Sequence, residues 1–151
     1  ASVIYIMRKR GLSLDEMNTR MNKQSGILGI FGESSDFRDL DTARREGNER
    51  AVLAYEMFCY RIQLYIGAYV AAMNGVDAIA FTGGIGENSV GVKKHICESL
   101  SYFGIELDEE KNAQRLPGNV ELSTKNSLVK IYKIETAEEL VIARDTYELT
   151  K

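Results

Sequence analysis

Proline is nearly missing from the sequence, with one in 151 residues, and cysteine and histidine are almost as scarce, at two and one. Cys59 and Cys97 lie far apart and form no CxxC, which excludes a disulfide framework or a cysteine metal knuckle and leaves two buried thiols in a reducing compartment. His95 has no Asp or Cys at metal-ligand spacing, so it is read as a surface residue of a helix. The formal charge is -3 and no basic block exceeds Arg8 to Arg10. That excludes a polyanion footprint, and no nucleic acid partner is expected. Long uninterrupted apolar runs are missing too. Ala51 to Met73 is broken by Glu56, Arg61 and Gln63, and the first residues lack a basic segment followed by a hydrophobic stretch. No membrane partner is expected, and the chain reads as soluble and cytoplasmic. There is also no initiator Met, so it reads as cut from something longer.

What is present is a core: 44% of the residues are hydrophobic, enough for a single globular domain over residues 1–151. Ser2 to Arg10 followed by Gly11 predicts a short helix with a C-cap glycine, and Ser13 to Glu16 is a capping box opening a second helix from Leu14 to about Asn22. The stretch KQSGILGIFGESSDFRD is expected to be a turn or loop. From about Leu40 to Asn74 the helical period returns through Ala54, Phe58, Ile62, Tyr65, Tyr69 and Met73, on a helix apolar on nearly all faces and therefore expected to be buried. VDAIAFTG reads as a central parallel strand, residues 89–103 as an amphipathic helix, and Ser127 to Glu135 as a second strand. A capping box from Thr136 to Glu139 opens the last helix.

Three stretches carry chemistry. In AIAFTGGIGENS a strand runs into Gly83, Gly84 and Gly86 and then into a helix, placing bare backbone at the carboxyl edge of a sheet, where open α/β folds bind ligands. It is neither a P-loop nor a GxGxxG fingerprint, and a tight strand-to-helix turn capped by Asn88 or Ser89 is the alternative. In SSDFRD, Asp36 is able to accept from ribose hydroxyls and Arg38 to meet phosphate or stack on a base; a helix N-cap with a local Asp-Arg pair is the alternative. In TAEEL, the capping box leaves Glu138 free to hold Mg²⁺ directly or through water, or simply to face a helix dipole.

Together, SGILGIFGESSDFRD, FTGGIGENS and AEELVIARDT, in this order along the chain and at roughly this spacing, resemble the C-terminal part of the acetate kinase family. The resemblance implies an α/β, ribonuclease-H-like domain of the acetate and sugar kinase and actin type, helix-rich, with a short and mostly parallel sheet. It implies nucleotide contacts from Asp36, Phe37 and Arg38 and from Gly83, Gly84, Ile85, Gly86, Glu87 and Asn88, with Glu138 helping to bind Mg²⁺. The implied partners are ATP or ADP and, through the remainder of the enzyme, acetate or acetyl phosphate, in a homodimer. The implied reaction is reversible ATP-dependent phosphorylation of acetate. The family's catalytic residues have no counterpart in this sequence, so none is assigned and the chain alone is expected to be inactive. A propionate kinase, or a non-catalytic nucleotide-binding or dimerisation module, are the alternatives. Two positions depart from the family pattern: Glu135 stands where Pro is common before the Thr of the last motif, and Glu33 where a small or apolar residue precedes the paired serines.

Overall fold

The computed structural model describes residues 2–151, with the side chain of Glu138 outside the described set. It is 64% helical with a small mixed sheet of three strands, so the expected helix-rich α/β class is the one found. The chain divides into two compact units, Ala1–Tyr60 and Arg61–Lys151.

The first unit opens with α1 (Ser2–Arg10), which ends at Gly11 as expected, and α2 (Leu14–Lys23). At the start of α2 the Ser13 hydroxyl accepts from the Glu16 N–H while the Glu16 carboxylate accepts from the Ser13 N–H, the reciprocal box predicted from sequence. The expected loop after α2 instead contains a short helix, α3 (Gly26–Phe31), anchored by the buried ring of Phe31. The expected helix from about Leu40 to Asn74 is two helices, α4 (Phe37–Arg45) and α5 (Glu49–Met73). Gly47, at φ 88°, ends the first in a conformation that side-chain-bearing residues disfavour. Asn48 begins the second, its side-chain oxygen accepting from the N–H groups of Arg50 and Ala51. The core here is Met17, Phe31, Leu40, Ala51, Ala54, Tyr55 and Cys59.

The boundary between the units falls within α5. The helix is not buried as its all-round apolarity suggested: Leu64, Tyr65, Tyr69 and Met73 are exposed, because no described element covers them. Asn74 and Gly75 close it as expected, both at positive φ.

In the second unit β1 (Ala78–Phe81) leads into α6 (Gly83–Asn88) and α7 (Val90–Ser99), the latter capped by the Ser89 hydroxyl. A 3-10 turn at Ser101–Phe103, α8 (Glu109–Gln114), β2 (Val120–Glu121), β3 (Lys130–Lys133) and α9 (Glu138–Leu149) follow. The strand order is β1-β3-β2, with β1 parallel and β2 antiparallel to β3. β1 is therefore parallel, as expected, but lies at the edge of this sheet rather than its centre. The centre is β3, because the two-residue β2 pairs on its far side. Val92, Ile96 and Cys97 of α7 and Leu100 just after it join Phe81, Ile105, Leu122, Val129 and Ile131 in the core.

Candidate functional site

Parallel pairing decides where the site lies. Phe81 is in register with Lys133, and the Ile134 N–H donates to the Phe81 carbonyl at 2.9 Å. Two parallel neighbours end at the same carboxyl edge, so the segments that follow them, Gly83 onward and Thr136 onward, leave the sheet side by side. Between them lies a cleft of about 270 Å³ lined by Gly84, Thr136, Ala137 and Glu139. That is slightly below the range of complete small-molecule pockets.

The glycines do not form a loop. They are the body of α6, whose N-cap is Thr82, and the helix expected to start near Asn88 or Ser89 is a second one, α7, capped by Ser89. Each glycine has a different reason to be one. Gly83 sits at φ 70°, the left-handed region. Gly86 packs so tightly on β1 that a Cβ would stand 3.1 Å from the carbonyl carbon of Phe81. Gly84 has neither constraint: no positive φ, and nothing within 4 Å of where a Cβ would be. It is exposed and lines the cleft. The fold does not require glycine there, and in a helix glycine is unfavourable by roughly 0.5–1 kcal/mol relative to alanine, so space in the cleft is what it provides.

Ile85 is half-buried, and the exposed Asn88 turns its amide back to the Gly84 carbonyl at 2.9 Å. Glu87 points its carboxylate at Thr136, accepting from the N–H at 3.0 Å and from the hydroxyl at 2.8 Å. These bonds, the backbone one foremost, hold Glu87 below the usual carboxylate range. The capping box expected from Thr136 to Glu139 is consequently not made. Ala137 precedes the first residue of α9, with no side-chain cap, and the Thr136 N–H that the box would give to Glu139 goes to Glu87 instead, leaving Glu139 on the cleft wall.

Glu138 opens α9, and its side chain lies outside the described residues. Among the described residues no three His, Cys, Asp or Glu side chains cluster as a metal cage. A site with one or two carboxylates is nevertheless what Mg²⁺ ordinarily uses when it keeps several waters and shares its remaining positions with phosphate oxygens, and Glu139 puts one on the cleft.

Beneath α6 lies a residue that sequence reasoning passed over. Lys93 is 2% exposed and donates from Nζ to the carbonyls of Gly86 at 3.0 Å and Glu87 at 3.1 Å. Burial, together with the nearby charges of Lys133 and Arg115, pushes it down to about 8. Lys93 lines a second, small cavity together with Asn112, Arg115 and Lys133. Its sequence signal was available: Lys93 falls on the apolar stripe of α7, beside Val92 and one turn before Ile96 and Cys97.

In the first unit, Asp36 is the N-cap of α4, accepting from the Arg38 N–H at 2.8 Å, and its carboxylate pairs with the Arg38 guanidinium at 2.6 Å. The pairing with Arg38 draws Asp36 down to about 2. Phe37 turns inward, its ring centroid 4.9 Å from Phe58 and 5.9 Å from Tyr55. The Arg38 side chain is 90% exposed. The two departures from the family pattern are both engaged: Glu33 accepts from Asn48, and Glu135 accepts from the Gly118 N–H and pairs with Lys133.

The fold that carries the strand, the glycine helix and the parallel return strand is shared with solved structures of small-molecule kinases. The chain superposes on an acetate kinase from Porphyromonas gingivalis with a TM-score of 0.87 at 39% identity, covering 99% of this chain and 38% of that one. A propionate kinase from Francisella tularensis gives 0.82 at 38% identity, over 93% of this chain and 35% of that one. The acetate kinase of Fusobacterium nucleatum is 57% identical over all 151 residues, which cover 38% of its length. The sequence model of the Acetokinase family matches residues 1–144, and the chain belongs to that family. It spans about 38% of the length of the curated relatives it matches.

Proposed function

We propose that this chain is the C-terminal, adenosine-binding part of an acetate kinase, working within a longer chain that phosphorylates acetate with ATP and runs the reaction in reverse. The observation that carries this reading is Gly84, a glycine that the backbone does not require, at the mouth of the cleft beside the entry to α9. A flat base is able to lie against a Cα that carries no side chain. Gly83 and Gly86 hold the helix in place, Ile85 and Asn88 flank the base, and Asp36, Phe37 and Arg38 are assigned nucleotide contacts on the strength of the family motif. Phosphoryl transfer depends on in-line positioning and on charge stabilisation around the migrating group. Those groups belong to the remainder of the enzyme, and the chain alone is inactive. Mg²⁺ held with the help of Glu138, or of its neighbour Glu139, would neutralise phosphate charge during transfer.

The similarity to a propionate kinase supports a second reading in which the acyl group is one methylene longer, a difference worth only about 1–3 kcal/mol in a pocket. The exposed Leu64, Tyr65, Tyr69 and Met73 on one helix support a homodimer. Two buried free thiols support a reducing cytoplasm, and no described helix is long and apolar enough to cross a membrane. The deciding experiment is an amide NMR titration with Mg-ADP. Saturable shifts confined to residues 36–38, 83–88 and 136–139 are expected, and shifts scattered elsewhere with none at Gly84 would overturn the assignment.

A further inference from the structure

Glu87 is held through both its side chain and its backbone. The carboxylate accepts two hydrogen bonds from Thr136, and the backbone carbonyl accepts one from the buried ammonium of Lys93. Burying an ammonium is costly unless its protons are satisfied. Lys93 spends its recorded bonds on the carbonyls of Gly86 and Glu87, at the C-terminal end of α6, where carbonyls lack partners within the helix and a cation is favoured. Thr136 would ordinarily cap its own helix; instead both its donors reach a carboxylate 49 residues earlier in the chain. α6 carries Gly84, and the entry of α9 carries Ala137 and Glu139, so one carboxylate joins the two walls of the cleft.

We propose that Glu87 is a positioning residue and not a nucleotide contact: its carboxylate ties the entry of α9 to α6, while Lys93 fixes the carbonyl end of α6, so that the cleft is set before a nucleotide enters. The proposal rests on the reading of the cleft as the adenosine site. It assigns the acid of the GGIGEN segment to the protein's own backbone, leaving Gly84 and its exposed surroundings to the base. A pre-formed cleft avoids the ordering cost that a loose one would incur on binding.

The test uses the complete enzyme, with calorimetric binding of metal-free ADP and hydrogen exchange at the Thr136 amide as readouts independent of turnover. Glu87→Ala leaves the Thr136 donors to water and should weaken ADP binding about fivefold through loss of the tie, and speed exchange at Thr136. Glu87→Gln keeps an acceptor oxygen and should restore most of both. Thr136→Val, which loses only the hydroxyl, should cost about threefold. The double variant Glu87→Ala/Thr136→Val should be no weaker than Glu87→Ala alone, since both remove one interaction. Full additivity with a still-protected Thr136 amide would mean that Glu87 touches the nucleotide directly, overturning the proposal. A lowered melting temperature with unchanged ADP affinity would overturn it as well. Gly84→Val separates the two readings: if it leaves ADP affinity intact, the cleft is not the adenosine site, whereas additivity alongside a large Gly84→Val effect removes only the tie.

Discussion

Gly86 lies directly against the backbone of Phe81, so close that a Cβ on it would stand 3.1 Å from the Phe81 carbonyl carbon, while Gly84, two residues earlier, faces open space. The two glycines of one short helix should therefore answer the same substitution in opposite ways. Gly86→Ala forces α6 off β1 and is expected to destabilise by about 1–3 kcal/mol, the usual range for overpacking. Gly84→Ala is expected to leave thermal stability unchanged or raise it slightly, and to weaken nucleotide binding. Scanning calorimetry and ADP titration of both variants check this. Equal melting temperatures would show that the contact with Phe81 does not limit the position.

Lys93 makes a pH prediction whose sign follows from burial. Its folded value is depressed from 10.5 to about 8, so below pH 8 both folded and unfolded chains carry the proton and the folded state bears the full cost of a buried charge. Between pH 8 and 10.5 the unfolded chain holds the proton that the folded one has released, and the Lys93 contribution to stability rises with pH. The full span is worth about 3 kcal/mol. Lys111, Arg115, Lys133 and Glu87 line the same cavity and are common to both proteins when Lys93→Met is compared with the parent. The buried thiols Cys59 and Cys97, both raised from 9.0, lower the stability of either protein above about pH 9, so denaturant titrations from pH 7 to 10.5 should show the parent gaining stability relative to Lys93→Met as pH rises. Parallel curves would mean that Lys93 titrates normally.

Much of the fold was legible because its signals are local. The Ser13–Glu16 box needs only residues three apart and forms as read. Its twin at Thr136–Glu139 has the same Ser/Thr-x-x-Glu pattern and fails, since Glu87, which no window around residue 136 contains, takes the Thr136 N–H that Glu139 would accept. Gly47-Asn48 was a readable stop and start, masked by helix-forming sequence on both sides. The centre of the sheet was not readable because β2 is two residues long. The apolar surface of α5 suggests core because periodicity reports that a face wants covering and is silent on whether this chain supplies the cover. At the site, strand, glycines and helix were visible in sequence. The adjacency of Gly84 to Thr136 was not, since it depends on the parallel pairing of β1 with β3.

The two cysteines should be silent in the native protein. Burial pushes the Cys59 thiol up to about 11 and Cys97 up to about 12, and both side chains are enclosed. The thiolate is the reactive form. A water-soluble aromatic disulfide reagent at pH 8 is expected to label neither thiol until denaturant is added, after which both react. Rapid labelling of one under native conditions would reveal local opening around α5 or α7.

Asp36 and Arg38 separate cap from ligand contact. Asp36 caps α4 through the Arg38 N–H and pairs with the Arg38 guanidinium. Removing the carboxylate by Asp36→Ala should lower the melting temperature by about 3 °C, the usual effect of losing a helix cap in a chain of this size. Arg38→Ala leaves the cap in place and removes only an exposed side chain, so the melting temperature should stay within about 2 °C. Because the Asp36 carboxylate is depressed from 3.8 to about 2, its stabilisation is complete above pH 3.8 and lost as pH falls through about 2. The stability gap between the parent and Asp36→Ala should close over that interval. If Arg38 is a nucleotide contact, Arg38→Ala should weaken ADP binding about tenfold, in line with loss of a charge-assisted bond. Glu56→Ala, also on a helix of the first unit, should leave binding unchanged. Unaltered ADP affinity in Arg38→Ala would confine the Asp36–Arg38 pair to holding the start of α4.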